Sequence, residues 1–306
     1  MGRKNKNNLE IEGIELTEDR TEEKPTITWY PGHMAKALRK VREKLKMVDI
    51  VLEIRDARVP LISGNDRLQD TVAQKNRLII VNKINLADPE ENQKWEEWFS
   101  KEETPYIFIN SLDKSSVKKI FSKAKELVVK RKLENGANPN LKKKIRMMFI
   151  GLPNTGKSTI INRLVGRTVA RAADRPGLTQ NQQWIKVDGD IELMDTPGIM
   201  PPRIKNDEEA FYLCAIHAIK DDIVGEEEVS SFVLSYLLKN KAAQLTEKYG
   251  LENFNLSVPE AFEEIGLNRK FLRKKGEVDY DRVFTMILSD FRKGELGRWT
   301  FEKAKL

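Results

Sequence analysis

Residues 145–158 read IRMMFIGLPNTGKS. The apolar run Met147-Met148-Phe149-Ile150 has the composition of a buried strand, and it stops at Gly151. Leu152 to Ser158 then lead into Ile160, Ile161, Leu164 and Val165, apolar residues at helical spacing. The stretch fits G-x-x-x-x-G-K-[ST] between a strand and a helix, the context in which that pattern binds phosphate. Gly151 and Gly156 let the backbone curl so that its N–H groups face a phosphate. The helix N-terminus adds partial positive charge. Lys157 can reach the outer phosphates, and the Ser158 hydroxyl suits Mg²⁺. A glycine turn beside a chance Lys-Ser would lack the flanking strand and helix.

Downstream, Ile191-Glu192-Leu193-Met194 reads as a strand, closed by Asp195-Thr196-Pro197-Gly198. An Asp at a strand end can hold Mg²⁺ through water, and a Gly there can offer its N–H to a γ-phosphate. Between the two motifs lies Arg175-Pro176-Gly177-Leu178-Thr179, where a mobile Thr can close on Mg²⁺ when a γ-phosphate is present. GLPNTGKS, PGLT and DTPG resemble the first three motifs of a translation-factor-class GTPase. Such GTPases place N-K-x-D after D-x-x-G, and nothing beyond Gly198 fits it. Upstream, Leu78-Ile79-Ile80-Val81 runs into Asn82-Lys83-Ile84-Asn85. A further strand, Tyr106-Ile107-Phe108-Ile109, ends at Asn110-Ser111-Leu112, similar to the fifth motif that backs the base. The order fourth, fifth, first, second, third resembles that of the circularly permuted GTPases. That implies a doubly wound, mostly parallel α/β sheet, because permutation only moves the chain ends.

Residues 29–46, WYPGHMAKALRKVREKLK, begin with a Pro31-Gly32 turn and continue as a helix from about Met34. Met34, Leu38, Val41 and Leu45 form its apolar stripe, and residues 36–46 hold six Lys or Arg against one Glu. WYPGHMAKA closely resembles the entry motif of the ribosome biogenesis GTPase A family, bacterial permuted GTPases of large-subunit assembly. Asp56-Ala57-Arg58 with Pro60, and Asp290 to Arg298 near the C-terminus, also resemble that family. The resemblance covers nearly all of residues 27–302. It implies nucleotide contacts from Asn82, Lys83, Asn85, Ser111, Leu112, Asn154, Thr155, Gly156, Lys157, Ser158, Thr159, Thr179 and Gly198. It also implies Mg²⁺ on Ser158, Thr179 and Asp195. Asp56 and Arg58 read as a structural loop at a strand end, with a direct role as the alternative.

Two positions depart from the pattern. Asn85 stands where the family has Asp. A carboxylate accepts from both the ring N–H and the exocyclic amine of guanine, whereas an amide has one acceptor and one donor. The mismatch costs on the order of 1–3 kcal/mol. Asp88 is a substitute only if the loop is rearranged. Ile199 stands where Ras-like enzymes carry the water-orienting Gln. The resemblance supplies His33, near the γ-phosphate, as the catalytic candidate that orients water or accepts its proton; a structural His at a helix start is the alternative. Asn154 resembles the Asn of potassium-assisted GTPases, so a K⁺ site and a loop-capping role both stand. His217, in the apolar stretch FYLCAIHAI, reads as a packed core residue.

The chain has 306 residues, enough for two domains, and is 33% charged with no apolar run of membrane-spanning length. A single cysteine, Cys214, excludes an internal disulfide framework and suits a cytosolic setting. Net charge is +7, which suggests an anionic partner. The excess is concentrated in residues 26–200, with 32 basic and 21 acidic groups, and in residues 118–146 with eleven against two. Such a stretch is either a phosphate-backbone patch or a solvated helix face.

Residues 1–25 are polar and read as a disordered extension without an apolar targeting segment. Residues 26–201 form the permuted GTPase domain, with a linker at 135–140. Residues 202–306 form a small all-helical domain, with helical spacing in 208–219, 226–248, 259–265 and 278–293. Arg269, Lys270, Arg273, Lys274 and Lys275 surround Phe271 in a composition that suits RNA. The expectation is a cytoplasmic, monomeric GTPase, slow alone and stimulated by the large ribosomal subunit precursor whose late maturation it promotes. The alternative is a nucleotide-regulated ribosomal RNA-binding scaffold with little turnover.

Overall fold

The computed structural model describes residues 42–64, 75–136, 144–165, 184–188, 190–194 and 204–306. Within them, β1 (Ile50–Asp56), β2 (Asn76–Asn82), β3 (Tyr106–Phe108), β4 (Ile145–Gly151), β5 (Trp184–Asp188) and β6 (Ile191–Met194) form one sheet. Its order is β3-β2-β1-β4-β6-β5. Every neighbouring pair is parallel except β5 with β6, an antiparallel pair with an irregular register between Lys186 and Asp188. The helices are α1 (Pro89–Ser100), α2 (Lys114–Glu134), α3 (Lys157–Val165), α4 (Asp207–Ala215), α5 (Glu226–Lys239), α6 (Ala243–Tyr249), α7 (Val258–Asn268) and α8 (Tyr280–Lys293).

β1 is buried at all seven residues, as a central parallel strand covered on both faces must be. Alternate residues face opposite layers. Leu52, Ile54, Leu78, Ile80, Met147 and Phe149 pack with Val117, Ile120 and Ala124 of α2 and Ile160 of α3. On the opposite face Ile79 and Val81 meet Trp95 and Phe99 of α1. Also there, Val51, Met148 and Ile150 share one core with Leu213 and Cys214 of α4 and with α5, α7 and α8. The C-terminal helices therefore pack directly on the sheet. The sheet is that of a circularly permuted P-loop GTPase, with the phosphate-loop strand β4 lying between β1 and β6.

Two helical expectations change. The run 226–248 divides, because Asn240 to Ala242 break it and Lys241 takes φ +48°. The run 208–219 ends at Ala215, and His217 sits at φ +61° in the turn that follows. Its side chain is 48% exposed, so His217 is not a core residue. Local signals set several ends: Asp88 caps α1 through Glu90 and Glu91 N–H, and Asp113 caps α2. Gly294 ends α8 in the left-handed conformation at φ +80°.

Candidate nucleotide site

Parallel pairing brings the C-terminal ends of five strands, β3, β2, β1, β4 and β6, to one edge, the usual position of a ligand crevice in such sheets. In register, Asp56 of β1 faces Asn82 of β2, and Ile54 faces Gly151 of β4. A cavity of about 300 Å³ opens there. Lys83, Asn85 and Leu86 line it from the β2 loop, and Ser111 and Leu112 from the β3 loop. Asn154, Gly156, Lys157, Ser158 and Thr159 line it from the phosphate loop and the first turn of α3.

Asn82 is fully buried and joins the three loops. Its amide donates to the Thr155 carbonyl at 2.8 Å, and its oxygen accepts from the Ser111 N–H at 3.0 Å. Each end of the side chain makes one of these bonds, so Asn82 braces the loops and keeps a second N–H and a second lone pair for a ligand. Thr155 is likewise inside, with its hydroxyl donating to the Leu152 carbonyl at 2.8 Å. Gly156 has no alternative: at φ +105°, a Cβ would lie 2.2 Å from the Asn82 amide nitrogen. At Gly151 a Cβ would lie 2.5 Å from the Ile54 carbonyl.

Asp56, which the sequence reads first as part of a structural loop and alternatively as a direct participant, lies behind the cavity wall and holds Lys83. It is wholly buried and pairs with Arg58 at 2.9 Å and with the Lys83 ammonium at 2.9 Å. Burial raises its carboxyl, but Arg58 and then Lys83 outweigh that and hold it well below the carboxylate range. One carboxylate thus serves two cations, and Lys83 keeps φ +65° beside it. The signal available in sequence was a D-A-R at the end of a strand that already carries Glu53 and Arg55 among its apolar residues.

Lys157 donates to the Gly151 carbonyl at 2.8 Å and also to the Leu152 carbonyl. Burial, and secondarily repulsion from Lys83, pushes its ammonium down to about 8. The cavity therefore holds an excess of positive charge that an anion would relieve. Ser158 lines the same wall as Lys157 on the first turn of α3, which fits a hydroxyl ligand for a phosphate-bound Mg²⁺. Thr159 follows it.

The amide of Asn154 donates to the His217 carbonyl at 2.8 Å. Asp88 accepts through Oδ1 from Glu90 N–H at 2.8 Å and Glu91 N–H at 3.3 Å, which caps α1, and it does not line the cavity as Asn85 does. His33, Thr179, Asp195 and Gly198 lie outside the described residues, as do Ile199 and residues 1–25.

Arg269, Lys270, Arg273, Lys274 and Lys275 are exposed in the hairpin between α7 and α8. Arg273 is engaged by Asp279 at 3.1 Å and by Asp281, whereas Lys274 and Lys275 point no ion pair inward among the described residues.

A sequence model of the family described as 50S ribosome-binding GTPase matches residues 146–253. Ribosome biogenesis GTPase A of Priestia megaterium is 39% identical over 279 residues, 90% of this chain and 96% of its own. The protein of the same name from Thermotoga maritima is 28% identical, over 90% of this chain and 94% of its own. The crystal structure of GNP-bound YlqF from T. maritima superposes with a TM-score of 0.61 at 26% identity, covering 88% of this chain and 99% of that one. The shared architecture extends through the C-terminal helices, and with identity sustained over nine-tenths of both sequences the chain belongs to the ribosome biogenesis GTPase A family.

Proposed function

We propose that the chain binds GTP in this cavity, hydrolyses it to GDP and phosphate, and promotes late maturation of the large ribosomal subunit precursor. The observation that carries the nucleotide reading is the shared carboxylate. Asp56 fixes Lys83 at the base loop, while Lys83 and Lys157 together leave the cavity positive. A polyphosphate meets Lys157 and the N–H groups of the phosphate loop; a purine meets Lys83, Asn85, Ser111 and Leu112. Ser158, with Thr179 and Asp195, would hold Mg²⁺, which neutralises charge on the phosphates.

Ile199 offers no hydrogen bond to water, so His33 is the residue that orients the attacking water in this reading. A group brought in from the entry motif makes turnover slow until a partner orders it, which gives a switch. The precursor and its ribosomal RNA are that partner. Lys270, Lys274 and Lys275, with Arg269, meet phosphates through an exposed basic hairpin. The relatives' names carry the ribosomal part of the reading. No helix among the described residues is long and apolar enough to cross a membrane.

GTP turnover with and without large-subunit precursors tests this. Acceleration by the precursor, lost in His33→Ala with nucleotide binding kept, is the expected result. Precursor binding without turnover would instead establish the nucleotide-regulated RNA-binding scaffold.

A further inference from the structure

The final residues of the chain return to the base loop. α8 ends at Gly294, where a Cβ would lie 2.6 Å from Leu86, a cavity residue. Arg298 then spans two carbonyls of the loop, donating through Nη2 to Ile84 at 2.9 Å and through Nε to Ala87 at 3.0 Å. Trp299 N–H donates to the Leu86 carbonyl at 3.0 Å. Asp88 N–H donates to the Thr300 hydroxyl at 3.0 Å, and Thr300 is 1% exposed. The backbone groups of residues 84, 86, 87 and 88 are thus satisfied by three consecutive residues more than 200 positions away. Loop backbone is otherwise left to water, which imposes no single geometry.

The segment is anchored behind as well. Tyr236 of α5 donates to the Thr300 carbonyl at 3.3 Å and meets the Trp299 ring edge-on at 5.7 Å. Phe301 stacks on Tyr212 with ring centres 5.1 Å apart, and its N–H donates to the Arg58 carbonyl at 3.0 Å. A rigid brace therefore joins the helical layer to the loop that carries Asn85. Asn85 provides fewer acceptors than a carboxylate, so its contact with a base depends all the more on where the loop is held.

We propose that Arg298–Thr300 is a clamp that positions the base loop and sets both the residence time and the base selectivity of bound guanine nucleotide. Arg298 and Thr300 are positioning residues that act through Ile84–Asp88. The proposal rests on guanine nucleotide binding in the cavity and is independent of any ribosomal partner.

The test uses the full chain without ribosomes. Release of a fluorescent GDP is timed, and affinities for GDP, IDP and inorganic pyrophosphate are compared. Arg298→Met is expected to release GDP roughly ten- to hundredfold faster, as loss of two charge-assisted hydrogen bonds implies. Its preference for GDP over IDP falls, while pyrophosphate, which touches only the phosphate loop, binds as before. Thr300→Val gives a smaller effect in the same direction, and Thr300→Ser restores wild-type behaviour. Thr300→Val is nearly isosteric and carries the test should Arg298→Met fail to fold. Wild-type GDP release in both folded variants overturns the clamp. So does an equal loss of GDP and pyrophosphate affinity, which would mean a loosened fold. Failure of the precursor to stimulate turnover would overturn the ribosomal reading and leave this result untouched.

Discussion

The side-chain amide of Asn154 donates to the main-chain carbonyl of His217 at 2.8 Å, tying the phosphate loop to the turn after α4. That turn is itself held by α8, where Arg292 donates to the Cys214 carbonyl at 2.8 Å and the Ala215 carbonyl at 3.2 Å. A chain of hydrogen bonds thus runs from α8 through the turn after α4 to the Gly151–Ser158 loop.

The tie uses the Asn154 nitrogen and leaves its oxygen as the one atom able to ligate a cation. GTP turnover should therefore be faster in KCl than in NaCl, and Asn154→Ala should equalise the two salts. Equal wild-type rates would reduce Asn154 to a tie between this loop and the turn after α4.

Asn85 leads to a prediction on base choice. Asp88 caps α1 and is not among the residues lining the cavity, which on this side presents Asn85. Wild-type protein should separate GTP from XTP poorly. Asn85→Asp should raise the GTP-over-XTP affinity ratio roughly ten- to hundredfold, the equivalent of about 1–3 kcal/mol. A wild-type preference for GTP as strong as that of Asn85→Asp would mean that backbone groups read the base.

Sequence reading went furthest where one local rule governs several residues. The phosphate loop was legible because two glycines, a Lys and a Ser sit between a strand and a helix, and the structure puts Gly156, Lys157 and Ser158 at one cavity. The parallel sheet was legible from apolar runs such as Leu78 to Val81 and Met147 to Ile150, since a strand buried on both faces is mostly apolar. Asp56 was not, because its partner Lys83 is 27 positions away and only the β1–β2 register joins them. The segment 298–300 was not, because it has no periodicity and its partners lie at 84–88. His217 was misread because an apolar run continues past the point where α4 ends. Lys241 divides α5 from α6 through a left-handed backbone angle that a lysine does not advertise.

Asp56 carries a prediction about stability. Asp56→Asn keeps the shape but leaves Arg58 and Lys83 facing a neutral amide. Breaking a buried pair from one side costs about 3–5 kcal/mol. The urea midpoint should drop accordingly, and adding Lys83→Met should recover part of the loss. Because the folded carboxyl is held low, the stabilisation is present at neutral pH and is lost only as strong acid protonates it. A change below about 1 kcal/mol, the scale of an exposed pair, would show that the pair is solvated.

Lys157 makes nucleotide binding depend on pH. Its ammonium in the free protein loses its proton near 8, whereas a bound polyphosphate favours the charged form. Binding above that pH must take up a proton, so affinity should be flat from neutral pH to about 8 and then fall, by at most about tenfold per pH unit. Calorimetry in buffers of different ionisation enthalpy counts the proton directly. Affinity independent of pH up to 10, with no proton uptake, would mean that Lys157 stays fully charged without a ligand.

Glu302 affects stability with the opposite sign to Asp56. Its partly buried carboxylate accepts from Leu61 N–H at 2.7 Å and Ile62 N–H at 3.2 Å, closing the segment after Arg58 against the C-terminal strap. Burial raises the carboxyl from an ordinary 4.5 to about 7, and the two N–H groups only moderate the shift. Between those values the folded chain holds more protons than the unfolded one, so stability declines as pH rises through that window. Glu302→Gln keeps an acceptor for Leu61 and Ile62 and removes the charge. The variant should melt higher than wild type at about pH 8 and together with it at about pH 5, where both carry a neutral side chain. A variant less stable at both pH values would mean that the N–H groups need the charged acceptor and that burial is the weaker influence on this carboxyl.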